Sequence, residues 1–174
     1  MTFTSPAPTL TTERLILRGH HPDDLDALAA MWADPAVYGM IGGKPRPRED
    51  VWIRLLRSVG CWTVFGYGAW VVCDGATGDV LGDMGLLESR RAIRPELTVP
   101  EVGWTLVPAA HGRGYAAEAM RAVLNWADAR GIRRTCCIID PGNAASIGLA
   151  GKLGYAAPVE GVYHDRPIRI FQRG

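Results

Sequence analysis

Apolar and polar positions alternate with period two in some stretches and follow helical spacing in others, which predicts a mixed α/β chain. Leu15 and Leu17, set between Arg14 and Arg18, predict a first strand over residues 10–18, after a loose segment 1–8. Pro22 with Asp23 and Asp24 opens a helix with carboxylates in its first turn. Leu25, Leu28, Ala29 and Trp32 continue it at helical spacing, and Asp34-Pro35 ends it. After a Gly- and Pro-rich loop over 39–47, Val51, Trp52, Leu55, Leu56 and Val59 predict a second helix over 48–59. Residues 65–73 form a strongly apolar strand, residues 75–79 a hairpin turn, and residues 80–87 an antiparallel return. A polar connection over 88–100 carries Arg90, Arg91 and Arg94 and belongs at the surface.

The next strand covers 101–107, and Pro108 prevents it from continuing as a regular ladder. A helix over 115–129 splits cleanly: Ala116, Met120, Val123, Leu124 and Ala127 are apolar, while Glu118, Arg121, Asn125 and Asp128 are wet. Residues 135–139 form a short interior strand parallel to 101–107 across that helix. A last helix over 144–153 stops at Gly154, and a terminal hairpin turns around Tyr163, His164 and Asp165. Antiparallel strands, one β-α-β unit and a hairpin make a single-domain mixed sheet of about seven strands flanked by about four helices.

The turn between the strand at 101–107 and its helix carries the chemistry. Gly112 and Gly114 lack a Cβ and let the backbone approach a bound group closely. Consecutive N–H groups at a helix start form an anion site, so residues 112–117 should hold something phosphorylated. Gly112-Arg-Gly114-Tyr-Ala-Ala117 also matches a dinucleotide fingerprint, with Asp140 downstream. Against that, residues 108–111 separate the glycines from the strand, and only 34 residues follow Asp140, too few to finish a doubly wound sheet. A P-loop is excluded because no Gly-Lys-Ser/Thr is present.

Composition narrows the setting. A chain of 174 residues, 48% apolar and 21% charged, predicts one ordinary globular domain. A net charge of +1 argues against a broad basic face for nucleic acid. Cys61, Cys73, Cys136 and Cys137 lack metal spacing and read as core residues of a reducing compartment. Neither a membrane span nor a signal peptide is apparent, so a cytoplasmic protein without a metal is expected. Trp62 and Tyr163, read as exposed aromatics, suit a homodimer interface.

His111-Gly-Arg-Gly114-Tyr-Ala116 resembles motif A of the GNAT superfamily of N-acetyltransferases, (Gln/Arg)-x-x-Gly-x-(Gly/Ala), with His at the first position. The resemblance continues through Asn143, Ser146 and Leu153-Gly154-Tyr155. The opening stretch from Leu10 to Arg18 is similar to the Rim-type branch, the ribosomal-protein alanine N-acetyltransferase-like proteins. The resemblance implies a GNAT fold whose central parallel strands splay apart around acetyl-CoA. Pro108 is a candidate cause of the splaying.

The implied cofactor contacts are the pyrophosphate on Gly112, Arg113, Gly114, Tyr115, Ala116 and Ala117, with His111 beside them, and the pantetheine arm on the backbone of Leu106 and Val107 and on Asn143. Asn143 equally reads as the N-cap of the last helix. The implied reaction is direct attack of a primary amine, on a protein N-terminus or a small molecule, on the thioester. Val107 N–H is the expected oxyanion donor and Ser146 the expected acid, because Ala150 stands where many members carry a Tyr. Glu101 is the expected base, with Glu88, Asp83 and His164 in reserve. Glu118 is assigned to the helix dipole rather than to catalysis. A non-catalytic acyl-CoA-binding domain on the same fold is the alternative.

Overall fold

The computed structural model describes residues 5–174. In chain order the elements are β1 (Leu10–Thr11), β2 (Leu15–Arg18), α1 (Leu25–Ala33), α2 (Pro35–Tyr38), α3 (Arg48–Phe65), β3 (Ala69–Asp74) and β4 (Val80–Leu87). They continue with β5 (Glu101–Leu106), α4 (Tyr115–Ala129), β6 (Thr135–Ile139), α5 (Ala144–Lys152), β7 (Ala156–Tyr163) and β8 (Arg166–Arg173). Short 3₁₀ turns occupy Pro22–Asp24 and Pro108–Ala110. The strands form one sheet in the order β1-β2-β3-β4-β5-β6-β8-β7. Every neighbouring pair is antiparallel except β5 and β6.

Eight strands replace the expected seven because the predicted strand over 10–18 is broken. The Thr12 amide donates to Leu15 O at 2.9 Å and folds the segment into the antiparallel pair β1–β2. Of the segment 1–8, residues 1–4 lie outside the described residues, while Pro8 O accepts the Trp70 indole N–H at 2.7 Å. A fifth helix appears because Asp34-Pro35 ends α1 and also starts α2. The Asp34 carboxylate accepts the Ala36 amide at 2.8 Å, and Pro35 occupies the first helical position.

The second predicted helix is longer than its expected end at 59. As α3 it runs to Phe65 and stops at Gly66, whose φ of 71° suits a glycine. The following strand therefore starts at Ala69 rather than 65. Trp62, in the last turn of α3, is only 5% exposed, so it is a core residue and not an interface aromatic. Its indole N–H donates to Ala69 O at 2.9 Å, and its ring meets Trp70 and Trp126 edge-on at centroid distances of 4.5 and 5.2 Å. Tyr163 is half-buried.

The parallel pair touches at one register only, Glu101↔Cys136, where the Cys136 amide donates to Pro100 O at 3.0 Å. Beyond that point β6 stays with β8 along its whole length, and β5 stays with β4. The strands thus separate well before Pro108, which does not cause the split; it starts the 3₁₀ turn that leads β5 toward α4.

Candidate functional site

Two features meet where β5 runs into α4. The first is the turn itself. Gly112 and Gly114 have φ of 71° and 79°, a left-handed backbone that a side chain would strain. Among the described residues, the backbone N–H groups from Gly112 through Ala117 donate to no protein acceptor; the ladder of α4 begins with Glu118 N–H to Gly114 O at 3.1 Å. Gly114 caps α4 without a side chain, so nothing blocks these donors. The result is a continuous row of N–H groups at the positive end of a 15-residue helix, able to hold a phosphate oxyanion.

The turn is held from the connection between β1 and β2. Thr12 Oγ1 donates to Glu118 Oε1 at 2.6 Å, the Arg14 amide to the same oxygen at 2.9 Å, and Arg14 Nε to Oε2 at 2.7 Å. Arg14 Nη1 also donates to Arg113 O at 3.0 Å. Burial pushes the Glu118 carboxyl up, but the donors from Thr12 and Arg14 outweigh it and hold the group below the usual carboxylate range. Glu118 is thus a strut that pins the turn to the sheet. Tyr115 is buried beneath it, with the Arg14 and Arg113 guanidinium groups over its ring at 4.4 and 4.8 Å; Ala116 and Ala117 are half-buried.

The second feature is the free edge of β5. Val107 N–H donates to Leu81 O at 2.8 Å, which marks Leu81 and Val107 as a hydrogen-bonded antiparallel pair. The alternation that follows points the amides of Gly103, Thr105 and Val107 toward β4, and those of Trp104 and Leu106 toward the space between β5 and β6. The assignment of Val107 N–H as oxyanion donor is therefore corrected, since its proton is already committed to β4. The backbone N–H groups of Trp104 and Leu106 are the donors that face the gap. Leu106 O is taken by His111, whose Nε2–H donates to it at 2.9 Å and closes the strand end onto the turn.

Asn143 and Ser146 approach the gap from the start of α5. Asn143 Oδ1 accepts the Ser146 amide at 3.0 Å as the N-cap, which leaves the Asn143 side-chain N–H₂ free. The Ser146 hydroxyl accepts the Trp104 indole N–H at 3.1 Å. One lone pair is thereby occupied and the O–H proton stays available to another acceptor. Ala150 is fully buried in the main core.

Glu101 is neither exposed nor unpartnered. It is 6% exposed, and its Oε2 accepts from Arg91 Nη2 and, at 3.4 Å, from Ser89 Oγ. The reserve carboxylates are also engaged: Glu88 accepts the Tyr67 hydroxyl at 2.9 Å, and Asp83 lies 3.8 Å from His20 Nε2. His164 is exposed at the β7–β8 turn. A cleft of about 490 Å³ is lined by Glu101, Trp104, Asn143, Ser146 and His164 and, on its helical wall, by Trp32 and Arg54.

A family model for the acetyltransferase (GNAT) domain matches residues 14–156. The chain belongs to the GNAT acetyltransferase family. Its relatives include the uncharacterized protein YkkB of Bacillus subtilis, 31% identical over 171 residues and 94% of each chain. Among solved structures, an acetyltransferase from Agrobacterium tumefaciens superposes with a TM-score of 0.83 at 29% identity, over 100% of this chain and 97% of the other. A Bordetella pertussis chain named for the same family gives 0.84 at 27% identity, over 97% and 100%. The sheet with its one parallel pair matches GNAT structures, and the family uses acetyl-CoA.

Sequence reasoning missed the side chain of Trp104. The pattern did contain a signal: after Glu101 a Trp interrupts a strand otherwise built of small and aliphatic residues, and its N–H needs a partner wherever the ring is half-buried.

Proposed function

We propose that this GNAT domain is an N-acetyltransferase of the Rim-type branch that moves an acetyl group from acetyl-CoA to a primary amine. The row of free N–H groups from Gly112 to Ala117, adjoining the unpaired edge of β5, carries the reading. The pyrophosphate is assigned to that row, with Arg113 and His111 beside it. The pantetheine arm is assigned to the β5 edge at Trp104 and Leu106 and to the Asn143 side-chain N–H₂. The amine nitrogen attacks the acetyl carbonyl carbon, and the Trp104 backbone N–H, beside Ser146, stabilises the oxygen as it becomes negative. The C–S bond then breaks, the Ser146 hydroxyl donates a hydrogen bond toward the departing sulfur, and the proton that the amine gives up passes to Glu101 or solvent and from there to the thiolate. A thiol with a pKa near ~8.5 is a tolerable leaving group, so Ser146 assists without being indispensable. The branch assignment rests on the opening stretch from Leu10 to Arg18 and on Ser146 three residues after Asn143.

Calorimetric titration with acetyl-CoA, with NAD as control, tests the reading on the wild type and on Gly114→Val. Tight acetyl-CoA binding that the substitution abolishes, with no NAD signal, is expected. A folded wild type that ignores acetyl-CoA rules the proposal out.

A further inference from the structure

The helical wall of the cleft carries more positive charge than the protein neutralises. Trp32 of α1 is 2% exposed. The guanidinium carbons of Arg46, in the loop before α3, and Arg54, on α3, lie 4.7 and 4.5 Å from its ring centroid. Among the described residues, the Nε atoms of both arginines are buried without a hydrogen-bond partner. Among the described residues neither guanidinium has an ion-pair partner, whereas two other arginines of the same cleft do: Arg91 pairs with Glu101 and Arg166 with Asp140. Burial pushes Arg54 down to about 10, against the pull of Asp83 and with the repulsion of Arg46 added. It stays charged at neutral pH.

Holding two partly buried cations on one ring is costly, and the π-face offsets only part of that cost. An oxyanion accepting from both guanidinium forks supplies what the fold withholds. The same cleft holds Ser146 and Trp104, and at about 490 Å³ it suits a small molecule. We propose that the acceptor is a small amine that itself carries an oxyanion, such as an amino acid or its phosphonate analogue, seated on Arg46 and Arg54 with its amine turned toward Ser146. This rests on the acetyl-transfer reading and narrows it, because it disfavours polyamines and other cationic acceptors.

The test is CoA-thiol release with L-amino acids set against their amides and their decarboxylated amines. The acids should be preferred by at least about 10-fold in kcat/KM, as expected for a charge-assisted pair. Arg54→Gln and Arg46→Gln should each remove most of that preference through KM, with acetyl-CoA affinity by calorimetry unchanged. Sulfate titrated into the CoA-loaded protein gives a readout without turnover: wild type should bind it and both variants should bind it at least about 10-fold more weakly. Equal or better use of the amides, or sulfate binding indifferent to both substitutions, overturns the proposal. If acetyl-CoA itself does not bind, the acetyl-transfer reading fails separately, and sulfate titrated into the free protein still decides whether the arginine pair is an oxyanion site.

Discussion

The indole N–H of Trp104, on the free edge of β5, donates to the hydroxyl of Ser146 in the first turn of α5 at 3.1 Å, bridging the two walls of the gap. This bond orients the Ser146 proton, so its loss should act through Ser146. Trp104→Phe keeps the ring and removes the donor; it should lower kcat for CoA-thiol release by up to about 10-fold, the range of one neutral hydrogen bond. Ser146→Ala should cost a similar amount, and the double variant little more than either, because the two groups act as one unit. Additive losses in that cycle would separate their roles.

Amide hydrogen exchange can tell Leu106 from its neighbour. Val107 N–H is bonded to Leu81 O, whereas the amides of Trp104 and Leu106 face the gap. Without ligand, Val107 should exchange slowly and the other two quickly. Saturating acetyl-CoA should slow Trp104 and Leu106 by at least about 10-fold and leave Val107 where it was. Protection that appears at Val107 instead would return the oxyanion role to it.

Much of this architecture was legible in the chain. The helix over 115–129, the strand over 135–139 and the glycine turn lie where periodicity and left-handed glycines put them, because local rules dominate there. The errors cluster where a local rule had a tertiary competitor. The apolar pattern ends the helix at 59 and opens the next strand at 65, yet the run to Phe65 completes α3, where Trp62 packs on Trp70 and Trp126 in the core. The direction of each amide in β5 depends on register against β4, which no single strand encodes, and so Val107 was assigned a proton that β4 already holds. Glu101 read as a free carboxylate because Arg91, ten residues away in an irregular loop, has no sequence signature as its partner.

The strut between the β1–β2 connection and α4 should be visible in the acid limb of stability. Glu118 titrates below the usual carboxylate range in the fold, so its contribution is fully present above the unfolded value near ~4.3 and fades as pH falls through the depressed one. Glu118→Gln should lower Tm at neutral pH, and the gap to wild type should close as pH drops below ~4. Because the strut pins the turn at Gly112 to Gly114, acetyl-CoA affinity should weaken in the same variant, several-fold by calorimetry. A Tm gap that persists unchanged to pH 2.5 would show that the carboxylate charge plays no part.

The ion pair between Glu101 and Arg91 changes what loss of Glu101 should do. Its Oε2 is occupied by Arg91 and Ser89, and Oε1 has no partner among the described residues, so any proton it accepts goes to Oε1. The need for that proton transfer depends on the acceptor. An α-amino group of pKa near ~7.8 is partly neutral at pH 7, while a side-chain amine of pKa near ~10.4 is neutral in less than about one molecule in a thousand. With an α-amine acceptor, Glu101→Gln should lower kcat/KM by no more than about 10²-fold, the lower end of general base catalysis, and raising the pH to 8.5 should recover about 6-fold of it, the gain in neutral amine. Arg91→Met leaves Glu101 buried without its cation, so it should destabilise the fold more than Glu101→Gln does, and the double variant should regain part of that stability. Kinetics against pH on the first variant and a thermal-unfolding cycle on all three decide both points; a loss that stays constant from pH 6.5 to 8.5 removes Glu101 from proton transfer and leaves it as the anchor of the β5–β6 junction.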